Sequence, residues 1–146
     1  MTLLDANLLL HATDSTSAFH DKARHWLETL LSRPEPVRLA WTGILAFLRI
    51  STHPRLRGQP FLMEEAVAIV EEWLALPNVA ILAPGERHWA ILRDLLAAAQ
   101  ARGPLVTDVH LAALAIEHGA TLCTNDRDFA RIPGLRVVYP LRGDTH

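Results

Sequence analysis

The sequence predicts an α/β protein: a single domain spanning residues 1–146, built on a central, mainly parallel sheet of four to five short strands flanked by helices. Three observations predict it. Short apolar runs alternate with amphipathic stretches long enough to be helices. Of the 146 residues, 50% are apolar, enough to bury one sizeable core. Acidic residues stand just after two of the apolar runs, where helices begin.

The first run, residues 2–4, ends at Asp5 and passes into a helix over Ala6 to Ala12. Ser15 or Ser17 is positioned to cap a second helix running to about Leu31, with Phe19, Ala23, Trp26, Leu27, Leu30 and Leu31 on one side. Pro34 and Pro36 end it. Val37 to Trp41 reads as a second strand, and Thr42 as the cap of a helix reaching Thr52, where His53-Pro54 breaks it.

Arg55 to Pro60 is a loop. From about Leu62 to Leu76, Val67, Ile69, Val70, Trp73 and Leu74 oppose Glu64, Glu65, Glu71 and Glu72, the pattern of a surface helix that Pro77 terminates. Val79 to Leu82 is a third strand. Arg87 to Arg102 is helical up to Gly103-Pro104, and Asp108 is placed to cap an alanine-rich helix over Val109 to His118, with Gly119 suited to a left-handed end. Thr121 to Thr124 and Arg136 to Tyr139 supply the last two strands, separated by a short turn or helix over Asn125 to Ala130. All four tryptophans, Trp26, Trp41, Trp73 and Trp89, fall at apolar positions and read as core or interface anchors.

Composition excludes several functions. A formal net charge of −2 leaves no general polyanion-binding field, so any nucleic-acid site must be local. Thirteen of the fourteen basic residues are Arg, whose forked guanidinium suits phosphate. The lone Cys123 excludes an internal disulfide and any zinc site of several thiolates. No apolar run approaches the ~20 residues of a membrane span, and Met1 to Asp5 lacks the basic start of a secretory signal, so a cytoplasmic location is expected. The eight His form no His-Glu-x-x-His pattern, and no Gly-x-Gly-x-x-Gly follows a strand. A dehalogenase-type phosphatase would need a second Asp where Asn7 stands.

The chemistry lies in Asp5, Asp108, Asp126 and Asp128, each at or beside a predicted helix start. Capping explains any one of them taken alone. A parallel sheet, however, gathers such positions at one crevice beyond the carboxyl ends of its strands. Clustered carboxylates repel unless a cation compensates, and an all-oxygen, all-Asp set selects Mg²⁺ or Mn²⁺. Such a site can activate water and neutralise charge on a phosphodiester. Asn7 and Thr124 are placed to orient a carboxylate, and Arg49 to meet either the acids or a phosphate backbone. Arg55 and Arg57 are candidates to grip phosphate, and His110 to lie near the pocket.

These segments resemble the PIN-domain nucleases, and among them the VapC toxins of bacterial VapBC toxin–antitoxin pairs. The likeness begins at Leu3-Leu4-Asp5-Ala6-Asn7 and continues through Trp41 to Arg55. It is most specific at Thr107-Asp108-Val109-His110 and Thr124-Asn125-Asp126-Arg127-Asp128-Phe129. The resemblance implies a PIN fold and a Mg²⁺-dependent endoribonuclease acting on structured RNA such as tRNA or rRNA. It also implies silencing by a VapB-like antitoxin, and a homodimer. By the family's motif, Asp5, Asp108 and Asp126 bind metal and Asp128 completes the catalytic acids. One departure is plain: many PIN domains carry a Glu in the helix after the second strand, whereas no acid occurs here between Glu35 and Glu64, and Ala46 or a neighbour stands in that place. That leaves one protein-held ion as the expectation, and an inactive RNA- or antitoxin-binding module as the alternative.

Overall fold

The computed structural model describes residues 1–142. Its elements run β1 (Thr2–Leu4), α1 (Ala6–Thr13), α2 (His20–Leu31), β2 (Val37–Leu39), α3 (Trp41–Ser51), α4 (Met63–Leu74), β3 (Val79–Ile81), α5 (His88–Ala98), α6 (Leu105–His118), β4 (Thr121–Cys123) and β5 (Val137–Val138). A 3₁₀ turn, Arg127–Arg131, follows β4. All strand pairings are parallel, in the order β3-β2-β1-β4-β5.

Side chains alternate across each strand, so adjacent residues feed two separate cores. Leu4, Val37, Leu39, Val79 and Cys123 pack with α1 to α4, where Phe47 is fully buried. Leu3 and Leu122 pack on the other face with α5 and α6. There Leu111 to Ala115 are all buried, and the three small alanines let α6 approach the sheet closely. Each fully buried Leu or Phe contributes ~1.5–3 kcal/mol. Gly119 ends α6 with φ +67°, the left-handed conformation the sequence anticipated. No helix among the described residues is long and apolar enough to cross a membrane.

Several boundaries differ from expectation. β2 stops at Leu39, and Trp41 opens α3 instead of closing the strand; Ala40, in extended conformation, is the N-cap in place of Thr42. α2 starts at His20, and Ser17 acts just ahead of it, its hydroxyl accepting from the Phe19 amide and meeting His11 Nδ1 at 2.7 Å. α5 ends at Ala98, short of Arg102. α6 begins at Leu105 behind Pro104, so Asp108 lies inside its first turn and caps nothing.

Tryptophans divide in the same way. Trp26 and Trp73 pack on the first core, Trp73 edge-on to Phe47 at 5.0 Å, but Trp41 and Trp89 are 56% and 65% exposed. Arg57 is another correction. Only 5% exposed, it donates to the Thr13 carbonyl and lies 4.4 Å over the Phe61 ring, fastening the loop after α3 to the end of α1, so it has no phosphate to grip.

Candidate active site

The strand order reverses between β1 and β4: from β1 the chain moves outward through β2 and β3, then returns to the opposite side. Open α/β sheets form their ligand crevice at such a switch point, beyond the carboxyl ends of the strands. Leu4 is in register with Cys123, so the next residues, Asp5 and Thr124, emerge side by side.

Thr124 is completely buried and organises this junction. Its hydroxyl donates to Asp5 Oδ2 at 2.8 Å and accepts from the Asp126 amide at 3.0 Å and from Asn7 Nδ2 at 3.2 Å. Asn7 Nδ2 also reaches Asp5 Oδ2 at 3.3 Å, and its Oδ1 accepts from the Asn125 amide at 3.2 Å. One Asp5 oxygen is thereby held by two donors. Its rotamer and the start of the β4 loop are fixed together. Arg142 locks that loop from outside, donating twice to the Asn125 carbonyl at 2.9 and 3.2 Å.

Capping accounts for the four acids unequally. Asp126 does cap, accepting from the Asp128 amide at 2.9 Å. Asp5 occupies an N-cap position yet makes no capping hydrogen bond across the turn, and the Asp108 carboxylate accepts no hydrogen bond among the described residues. Asp108 is half-buried in the first turn of α6, where the helix dipole favours a carboxylate but no hydrogen bond holds it.

Asp5 and Asp108 face one another across a cavity of about 120 Å³ walled also by Ala6, Thr42, Gly43, Ala46, Thr107 and Leu111. The small Ala46 stands in this wall, so the acid that α3 lacks leaves open space. Burial, joined by the charges of Asp5, Asp126 and Asp128, pushes the Asp108 carboxyl up from the ordinary 3.8 to about 6. Burial also raises Asp5, with Asp126 adding to the effect and the Thr124 hydroxyl and Ala6 amide opposing it. All four acids thus act within one electrostatic neighbourhood.

Among the described residues no three Asp, Glu, His or Cys side chains are gathered tightly enough to hold a metal ion by themselves. The donor chemistry nevertheless fits a hard cation: two carboxylates across a small cavity, with excess negative charge around them, match Mg²⁺, which binds through one or two carboxylates and keeps several waters.

Arg49 does not reach the acids. It lines an adjoining groove with Thr42, Leu45, Ala46 and Thr107. His110 turns away to α5, where its Nδ1 meets His88 Nε2 at 2.9 Å. Sequence reasoning named Ala46 as the place of the missing Glu but passed over Thr42, Gly43 and Thr107 as walls of the cavity, because small uncharged residues carry no chemical signal until the fold places them opposite an acid.

Residues 2–135 match the family model of the PIN domain. Ribonuclease VapC37 of Mycobacterium tuberculosis is 40% identical over 140 residues, spanning 96% of this chain and 97% of that one. The chain belongs to the VapC group of the PIN-domain family. A second relative of this PIN domain, Ribonuclease VapC43 of the same organism, is 38% identical over 146 residues, covering 100% of this chain and 99% of the relative. Among solved structures, the VapBC2 complex of Rickettsia felis bound to a promoter DNA fragment superposes with a TM-score of 0.67 over 93% of this chain and 96% of that one. At 19% identity that likeness speaks for the PIN fold alone.

Proposed function

We propose that this PIN domain is an endoribonuclease, the toxin of a toxin–antitoxin pair, which hydrolyses phosphodiester bonds of structured RNA of the tRNA or rRNA class. The observation that carries the reading is Asp108: a half-buried carboxylate with no hydrogen-bonding task, held at about 6 by burial and three neighbouring acids. Carboxyls perturbed by burial and by like charges inside a cleft concentrate at functional sites.

Asp5 and Asp108 across the cavity and Asp126, the third acid of the family's motif, would hold Mg²⁺ or Mn²⁺ together with waters, with Asp128 adding charge to the set. Bound there, the ion would supply a lowered water pKa and neutralisation of the phosphate. The chain's own residues prepare the site. Thr124 and Asn7 fix one Asp5 oxygen and with it the carboxylate that lines the cavity. Leu111 supplies an apolar wall to the cavity, and the small Ala46 leaves room in it for water. The raised proton affinity of Asp108 in the empty site is relieved when a cation binds, so the ionised carboxylate is the form that would meet the ion.

Two features support a protein partner. The chain's relatives at about 40% identity are named as VapC ribonucleases, and VapC is one half of a VapBC pair. Leu62, Met63 and Val67, around the start of α4, are exposed apolar side chains of the kind an antitoxin helix covers. A homodimer and a cytoplasmic site of action accord with the same reading.

RNA cleavage by the purified chain tests it. Activity with Mg²⁺ or Mn²⁺ that disappears in excess EDTA, and in Asp5→Ala and Asp108→Ala proteins that keep their circular dichroism spectra, is the expected result. Equal activity in EDTA overturns it. RNA binding without metal-dependent cleavage would instead support the inactive binding module.

A further inference from the structure

Trp41, Leu45 and Arg49 follow one another at intervals of four along α3, so they share one helical face. All three are exposed, Trp41 by 56% and Leu45 by 59%. Trp41 stands two residues past the end of β2, at the carboxyl end of the sheet that also presents Asp5. Leu45 and Arg49 line an open groove of about 410 Å³ whose other walls are Thr42, Ala46 and Thr107. Those three residues are also walls of the acidic cavity, so groove and cavity form one continuous depression. The Arg49 guanidinium makes no hydrogen bond or ion pair among the described residues.

We propose that this stripe seats the unpaired nucleotides flanking the bond to be cut, with a base stacked on Trp41, Leu45 beneath the sugar and Arg49 on the neighbouring phosphate. The proposal rests on the RNA-cleaving reading of the cavity. Its chemistry is that of a single-stranded polyanion: an aromatic face for a base, an apolar strip, and a cation next to carboxylates that must themselves be neutralised before phosphate can enter. A duplex keeps its bases stacked internally and cannot offer one to an indole. The shared walls with the acidic cavity and the Arg49 cation beside it favour RNA over a protein occupant, because a phosphate held at the cavity mouth places the next nucleotides over this groove.

The test uses the full chain with Asp108→Asn to prevent cleavage, Mg²⁺ present, and a fluorescein-labelled single-stranded oligoribonucleotide read by anisotropy. Adding Trp41→Ala weakens binding about tenfold or more, whereas Trp41→Phe, which keeps an aromatic face, stays within about threefold. Arg49→Met reduces the slope of log affinity against log salt by about 0.7, the contribution of one single-strand phosphate. Affinity for a duplex of the same sequence changes less than that for the single strand in the Trp41→Ala protein. Unchanged single-strand binding in Trp41→Ala overturns the proposal, and sedimentation showing that the same change splits a dimer would reassign the stripe to contact between copies. Metal-dependent cleavage by the unmutated chain is measured alongside. If cleavage is present and Trp41→Ala binds normally, only this proposal fails; if the unmutated chain neither cleaves nor binds RNA, the reading beneath it fails as well.

Discussion

The buried hydroxyl of Thr124 donates to Asp5 Oδ2 at 2.8 Å, joining two residues 119 positions apart in the chain at the point where the strand order reverses. Through that one contact the first and fourth strands set the orientation of a carboxylate that both cavity geometry and charge place at the centre of the site.

Replacing Thr124 with Val keeps the volume but removes the donor to Asp5 and the acceptor for the Asp126 and Asn7 groups. Cleavage is expected to fall about 10–100-fold, as for other residues that orient metal ligands. Stability is expected to drop by ~1–3 kcal/mol in urea unfolding, because buried polar partners are left unpaired. Thr124→Ser should recover most of both. A fully active Thr124→Val enzyme would show that Asp5 needs no fixing.

Asp108 makes a pH prediction of defined sign. Its carboxyl rises from 3.8 to about 6 in the native state, so between those values the native chain retains a proton that the unfolded chain has released. Stability therefore falls as pH rises through that window, and the loss is complete above about 6. Thermal melting without divalent ions should show this decline, and Asp108→Asn should flatten it while melting higher than the unmutated chain at pH 7. An Asp108→Asn protein that melts lower would mean that the carboxylate has a stabilising partner.

Divalent ions should act on the same charges. Mg²⁺ is expected to raise the melting temperature more above pH 6 than at pH 4.5, and to have little effect in Asp5→Asn, since only the ionised acids attract it. A pH-independent shift would indicate binding elsewhere.

Glu117 provides a contrast away from the cavity. Its buried carboxylate accepts from the Gly85 amide at 2.9 Å and the Arg87 amide at 3.0 Å, tying the end of α6 to the start of α5. Glu117→Ala should cost ~1–3 kcal/mol in unfolding while leaving cleavage per folded molecule unchanged. A change in cleavage without loss of stability would connect this hairpin to the reaction.

Much of this was legible in the residues. The strand-then-Asp pattern at Asp5 and the Thr124-Asn125-Asp126 segment identify the crevice because a parallel sheet aligns strand ends, whatever the helices do. Asp108 was placed on the right helix but given a capping task, since Leu105, Val106 and Thr107 show no amphipathic pattern that would extend α6 back to Pro104. Trp41 misled in the opposite direction. Its apolar neighbours suggest a buried strand, yet the sheet needs only Val37 to Leu39, and the indole is left at the rim. The buried Arg57 could not be anticipated at all, because its partners are a carbonyl and a ring supplied by distant turns.

The central claim is electrostatic, and a ¹³C carboxyl NMR titration of Asp108 addresses it without reference to any RNA. A midpoint near 6 that falls when Mg²⁺ is added is the predicted result. A midpoint at the ordinary 3.8, unmoved by Mg²⁺, would contradict the account.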